Sequence, residues 1–185
     1  YVPGVPDVFE QRQTPSIFGA GLIDGISRTE ILSNEDPNDL DGDGIRGVAR
    51  FIDVAGVPEV GRFGWKGQVP RLADFIKDAM GGECGITTPD DGRGFALVSD
   101  GDGVSDPELS PEQFDDISFF LQNLAAPQRA GSTDSAVFVG ETLFETVGCA
   151  KCHIPELAGE NGPVPLYSDL LLHEIMPPDF RGMAE

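Results

Sequence analysis

Apolar residues recur at helical spacing in three stretches of the chain, and the sequence between them is broken by glycine, proline and aspartate. Leu72, Phe75, Ile76 and Ala79 share one face of a helix predicted from Pro70 to Met80, with Gly81-Gly82 as its stop. Ser110-Pro111-Glu112-Gln113 reads as an N-cap, a proline at the first helical position and a capping-box partner. Ile117, Phe120, Leu121 and Leu124 then supply a buried face, and Pro127 follows the end. Gly140, Leu143, Phe144 and Val147 follow the same helical pattern, with candidate N-caps in Ser132-Thr-Asp-Ser135. A shorter helix is predicted after Ser27, because Ser27 and Glu30 are spaced as a capping box and Ile26 and Ile31 as a hydrophobic staple. Tyr1 to Glu10 is an extended, proline-rich lead-in, and Glu83 to Pro107 and most of the chain after His153 read as loop. The pattern predicts a mainly α fold with long Gly/Pro/Asp-rich loops.

The third helix runs into Cys149-Ala-Lys-Cys152-His153, the spacing of haem c attachment. In that chemistry two thiols add across neighbouring porphyrin vinyl groups and the adjacent imidazole becomes the proximal iron ligand. Cys149, Cys152 and His153 are therefore the candidate haem-binding residues. The competing readings are a disulfide, a thioredoxin-like pair and half of a zinc site. Zinc needs further ligands, and outside the motif the chain offers only Cys84 and His173; a thioredoxin-like pair wants a βαβ context that the pattern lacks. The helix and motif together resemble the first helix of a class I c-type cytochrome. Met176, before Pro177-Pro178, resembles the distal-ligand loops of small cytochromes and is the candidate sixth ligand, with His173, Met183 or an open position as alternatives.

Asn38-Asp39-Leu40-Asp41-Gly42-Asp43-Gly44-Ile45 matches the first half of a calcium loop, with Asp39, Asp41 and Asp43 as candidate ligands. The twelfth position, where an EF-hand carries a bidentate Glu, is Arg50, so a complete EF-hand is excluded. A calcium site completed from elsewhere and a solvated Asp/Gly turn both remain open. Ser99-Asp100-Gly-Asp102-Gly is a weaker echo.

Charge narrows the partners. With 32 acidic against 12 basic residues the net charge is −20, which disfavours nucleic acid and anionic membrane surfaces. A basic redox partner steered electrostatically is one reading, and solubility in salty water is the other. Hydrophobic residues make up 39% of the 185, enough for a packed core, and no apolar run is long enough to span a membrane. Haem c is attached outside the bacterial cytoplasm, which points to a periplasmic or extracellular protein whose signal was removed or lies outside this sequence. Of three cysteines, Cys84 is left over, expected to be buried and inert rather than bonded to another chain.

Five motifs occur in order: Arg12-Gln-Thr-Pro15-Ser-Ile-Phe-Gly19-Ala-Gly21-Leu22, Asp41-Gly-Asp-Gly44-Ile45, Gly61-Arg-Phe-Gly-Trp65-Lys66, Cys149-Ala-Lys-Cys152-His153 and Tyr167-Ser-Asp169-Leu-Leu-Leu-His173. As a set they resemble the di-haem oxidoreductases, distant relatives of the bacterial di-haem cytochrome c peroxidases, described as thiol oxidoreductases or peroxidases. The resemblance implies cytochrome c-like helical domains. It makes Trp65 a candidate electron relay between haems, against the alternative of an ordinary core Trp. It also offers Met80 as a ligand to an N-terminal haem, against ordinary packing. Family members carry two haem motifs and this chain carries one, and only 32 residues follow His153. The resemblance thus implies an incomplete sequence or a degenerate member.

The expected organisation is a first cytochrome-like domain over residues 1–126 without its haem motif, a linker at 127–134 and a haem-binding domain at 135–185. The expected function is single-electron transfer through covalent haem c. Its alternatives are a di-haem peroxidase-type oxidoreductase, with His173 and Glu174 as the nearest acid/base groups in sequence, and an acidic, calcium-stabilised accessory subunit of a larger redox assembly. The partners implied are a redox protein and further haem-bearing segments or subunits.

Overall fold

Short runs of β-branched residues sit between the turn residues of this chain, and they decide much of the fold. The computed structural model describes residues 14–89, 95–128 and 134–175. Among these, five short α-helices alternate with three two-stranded antiparallel ribbons. The helices are α1 (Ala20–Asp24), α2 (Arg28–Ser33), α3 (Leu72–Ala79), α4 (Pro111–Asn123) and α5 (Ser135–Thr146). The strands are β1 (Gly47–Val48), β2 (Phe51–Val54), β3 (Val57–Val60), β4 (Leu157–Gly159), β5 (Gly162–Val164) and β6 (Leu172–His173).

The expectation of a mainly α, cytochrome c-like architecture is overturned. The stretch after His153, read mostly as loop, and residues 51–60, for which no element was predicted, fold as ribbons, because their turns place apolar, β-favouring residues opposite one another. In the β2–β3 hairpin Ala55 and Gly56 both have positive φ, and Phe51 pairs with Val60 and Val54 with Val57. β4 and β5 pair Leu157 with Val164, both buried. β1 and β6 join distant parts of the chain, Gly47 opposite His173 and Val48 opposite Leu172.

Two apolar clusters form the core. One gathers Ile26, Ile31, Ala49, Val60, Leu157 and Val164, so residues after the Cys-x-x-Cys-His motif share it with residues from the first third of the chain. The other gathers Ala20, Phe63, Val69, Leu72 and Ile76, with Met80, Phe114, Ile117 and Leu121 packed against it. At the crossing of α1 and α4, a side chain at Gly21 would collide with the backbone of Gln122. That contact explains the glycine in the Gly19-Ala-Gly21 motif.

Between the clusters lies Arg62. Its guanidinium donates from Nε (3.2 Å) and Nη2 (2.8 Å) to the Ile26 carbonyl and from Nη1 to those of Val60 (3.1 Å) and Pro70 (2.9 Å). The planar fork thereby satisfies three backbone acceptors where the β2–β3 hairpin meets α1 and α3.

Several local expectations change in detail. Ser27 caps α2 by accepting from the Glu30 N–H, but the Glu30 carboxylate reaches across to the Ala158 N–H at 2.8 Å instead of closing the box. At α4 the capping box is complete, with Ser110 and Gln113 bonded reciprocally. Its inner face is Phe114, Ile117 and Leu121, while Phe120 is 59% exposed and not buried as the pattern predicted. The helix predicted from Pro70 to Met80 spans Leu72 to Ala79 and continues as a wider turn over Met80–Cys84. Met80 packs against the second cluster, and Cys84, expected to be buried, is exposed with a free thiol. It stands at the end of that wide turn, before Gly85, where the helical ridge no longer faces the core.

Candidate functional site

Asp134 caps α5 by accepting from the Ala136 N–H at 2.9 Å, within the stretch where the sequence offered its N-caps. The helix ends at Thr146, and Gly148, with a φ of 89°, turns the chain into a short 3-10 segment, Cys149–Lys151. The His153 N–H donates to the Cys149 carbonyl at 2.9 Å, so the five motif residues close one turn. Both motif thiols are free, Cys149 exposed and Cys152 half-buried. Burial pushes the Cys152 thiol up from its ordinary range, with Asp169 and Asp43 adding to the shift and Lys151 opposing it.

His153 Nδ1 lies 3.0 Å from the Tyr167 carbonyl oxygen. A carbonyl only accepts, so Nδ1 carries the proton and Nε2 presents its lone pair outward. Nε2 has no hydrogen-bond partner among the described residues. The Phe144 ring stands beside both groups, 6.4 Å from the His153 ring and edge-on to Tyr167 at 5.6 Å.

A cleft of about 510 Å³ opens next to this trio, lined by Val137, Gly140, Glu141, Phe144, Pro155 and Tyr167. The rest of α5 is uncovered: Phe138, Val139, Leu143 and Val147 are all more than half exposed. Of the face predicted to be buried, only Phe144 is even half-buried, while Gly140, Leu143 and Val147 lie open. The exposed apolar side chains of α5, Val137, Phe138, Val139 and Leu143, beside two free thiols and an imidazole whose Nδ1 is engaged fit a covalently held, largely apolar macrocycle.

Tyr167-Ser-Asp169-Leu-Leu-Leu-His173 anchors both histidines of the chain. Tyr167 holds His153 by its carbonyl, and the buried Asp169 holds His173 Nε2 at 2.7 Å. His173 Nδ1 meets the Arg46 carbonyl at 2.9 Å, so both its nitrogens face protein oxygens. The imidazole ties β6 to the residue before β1. Glu174 is exposed at the rim of a smaller cavity of about 360 Å³ that includes Asp39, Arg46, Cys152 and His173. Met176 and Met183 lie outside the described residues.

The calcium-like loop folds beside the motif. One carboxylate oxygen from each of Asp39, Asp41 and Asp43 lies within 4.8 Å of the others. The same side chains also accept loop N–H groups, Asp39 from Gly44, Asp41 from Asp43 and Asp43 from Ile45. Asp36 accepts from Leu40 and Asp41. Lys151, between the motif cysteines, places its ammonium 3.1 Å from Asp43 Oδ2. Arg50 at the loop's twelfth position instead donates to the Lys66 carbonyl at 3.4 Å. In the weaker echo, Asp100 and Asp102 accept from Asp102 and Val104 N–H groups as ordinary turn residues. Trp65 is half-buried on the 3-10 turn Trp65–Gly67 and does not line the cleft beside Phe144 and Tyr167.

Tyr167, Asp169 and Lys151 were missed as site residues by pattern reading. Tyr167 and Asp169 belong to a quoted motif whose physical role the sequence does not disclose, since one acts through its backbone carbonyl. Lys151 occupies a variable position of its motif and gives no sequence signal.

The sequence model of a family described as "Di-haem oxidoreductase, putative peroxidase" matches residues 7–175. No curated protein and no solved structure matches the chain.

Proposed function

Because the chain belongs to the di-haem oxidoreductase family, and is by that membership a haem-binding oxidoreductase, we propose that it carries covalent haem c and transfers single electrons through it. Cys149 and Cys152 would form the thioethers, and His153 Nε2 would be the proximal ligand. The observation that carries the reading is the His153 imidazole, held at Nδ1 by Tyr167 with Nε2 presented outward, beside free thiols and the uncovered face of α5. Bound there, the haem supplies an iron that cycles between two oxidation states. The chain's part is to cover the ring with α5 apolar side chains, hold the imidazole and leave an edge open to a partner.

Met176 would be the sixth ligand in this reading, favoured over His173 because both nitrogens of His173 are engaged by Asp169 and Arg46. A thioether there would favour a higher potential than a second imidazole. The net charge of −20 supports a basic redox partner, and the attachment of haem c outside the bacterial cytoplasm supports a site of action there. Asp39, Asp41 and Asp43 belong to the proposal as a calcium loop that braces the haem motif through Lys151.

The test is a count of covalent haem per chain with optical spectra of both oxidation states. One low-spin haem with reversible spectra is expected. Absence of covalent haem would sink the proposal, and peroxide-dependent turnover with a high-spin component would shift it to a peroxidase-type reaction needing a second haem.

A further inference from the structure

The residue that holds the proximal imidazole does so from a backbone conformation it would not adopt alone. Tyr167 has a φ of 52°, in the left-handed region that is strained for a non-glycine residue. An extended backbone here would turn the carbonyl away from His153. The conformation is imposed from several sides. The Tyr167 N–H reaches the Pro155 carbonyl at 3.4 Å, and its ring sits edge-on against Phe144 of α5. Just downstream, Ser168 accepts from the Leu170 N–H at 3.1 Å and the buried Asp169 from the Leu171 N–H at 2.9 Å. Backbone strain that the surroundings over-determine is a marker of function.

We propose that Tyr167 is a positioning residue for the proximal ligand, its left-handed backbone aiming the carbonyl that fixes the His153 tautomer and strengthens donation through Nε2. The inference rests on the haem reading above. A hydrogen bond from Nδ1 to a carbonyl lends the imidazole partial anionic character and makes it a stronger donor to iron. The stronger donor favours the ferric state and lowers the reduction potential. The ring's edge-on contact with Phe144 sets Tyr167 beside the helix that leads into the haem motif, while the carbonyl's aim follows from the backbone conformation.

The test compares three haem-loaded proteins: the unaltered chain, Tyr167→Gly and Tyr167→Val. Glycine discards the ring but keeps easy access to positive φ, whereas valine discards the ring and resists it. Haem count, reduction potential and exchange of the Nδ1 proton in the ferrous state are read for each. The expected result is a potential and exchange rate in Tyr167→Gly close to those of the unaltered chain. In Tyr167→Val the potential rises and exchange quickens by about tenfold or more as the protecting bond opens. If Tyr167→Val does not fold, Tyr167→Ala bears a milder left-handed penalty and is expected to move in the same direction. A glycine variant that shifts as far as the valine variant assigns the effect to the ring and overturns the proposal, as does a potential unmoved in every variant. Covalent haem with an unmoved potential removes the positioning role alone, whereas absence of covalent haem from the unaltered chain removes the haem reading and this role with it.

Discussion

The ammonium of Lys151, set between the two motif cysteines, lies 3.1 Å from the carboxylate of Asp43 in the acidic loop, and so joins the chain's two candidate ligand-binding motifs. Lys151 Nζ also reaches the Asp43 carbonyl at 3.5 Å. Lys151 is 44% exposed, and an exposed pair of this kind contributes little to stability. Its larger effect is on what else enters the loop, because a fixed positive charge repels a divalent ion.

Lys151→Ala is therefore expected to leave the melting temperature nearly unchanged and to tighten calcium binding. A unit charge about 4 Å from a divalent ion in water counts twice the monovalent interaction, so its removal is worth up to roughly thirtyfold in affinity at low salt. Calorimetric titration of calcium into both proteins reads this directly. No binding by either would leave the three aspartates as turn residues that accept loop N–H groups.

Acid should act on this loop late. The Leu40 N–H holds the Asp36 carboxyl below its ordinary value of 3.8, and the Ile45 N–H, followed by Lys151, does the same for Asp43. For carboxylates depressed in the folded state, the stabilisation is present above the unfolded pKa and is lost as pH falls through the lowered folded value. Stability of the unaltered chain should thus fall as pH drops below about 4, the unfolded carboxylate range. Asp36→Asn should be less stable at neutral pH and flatter across that window. Denaturant midpoints measured from pH 6 to pH 2 compare the two, and identical slopes would show that Asp36 is not a contributor.

Local signals were legible where a few adjacent residues decide the outcome, and failed where distant ones do. Ser110 with Gln113, and Asp134 before α5, act within one turn and appear where the pattern put them. Glu30 has the same spacing from Ser27, yet its carboxylate bonds Ala158, a partner that only the folded chain brings near. Phe120 and Phe114 are equally apolar, and which one faces inward is set by how α4 leans on α1 and α3. The helical bias of the expectation came from reading the Gly/Pro-rich stretch after His153 as loop, although Leu157 and Val164 pair across the β4–β5 ribbon there, and from predicting no element over β2 and β3. At the site, Cys149, Cys152 and His153 were visible because attachment chemistry demands their spacing. The Tyr167 carbonyl was not, since every residue has one.

Arg62 carries a stability prediction of its own. Burial lowers its pKa from the ordinary guanidinium range, with Asp24 and Glu59 opposing that shift, and the guanidinium stays charged at any working pH. Arg62→Lys keeps the charge but cannot present three donors in a plane, so at least one of the Ile26, Val60 and Pro70 carbonyls loses its partner. Each buried carbonyl left unsatisfied costs about 1–3 kcal/mol. We expect Arg62→Lys to lose about 1–3 kcal/mol and Arg62→Ala more, read as a shift of the denaturant midpoint at constant slope. A lysine variant as stable as the unaltered chain would mean that the charge alone matters there.

His173 and Met176 compete on paper for the distal position, and the contacts of His173 give the competition a direction. Its Nε2 would have to leave the buried Asp169 carboxylate, and its Nδ1 the Arg46 carbonyl, before either could reach iron. A hydrogen bond to a charged partner contributes about 1.5–3 kcal/mol, and releasing it would also leave Asp169 buried without its imidazole. His173→Gln should accordingly leave the haem spectrum of the loaded protein unchanged while lowering stability, because the β1–β6 pairing loses its clamp. Met176→Ala should abolish the long-wavelength absorption of thioether ligation and lower the reduction potential. The reverse outcome, a spectrum altered by His173→Gln and untouched by Met176→Ala, would mean that haem binding rebuilds β6 and draws His173 off Asp169 onto the iron.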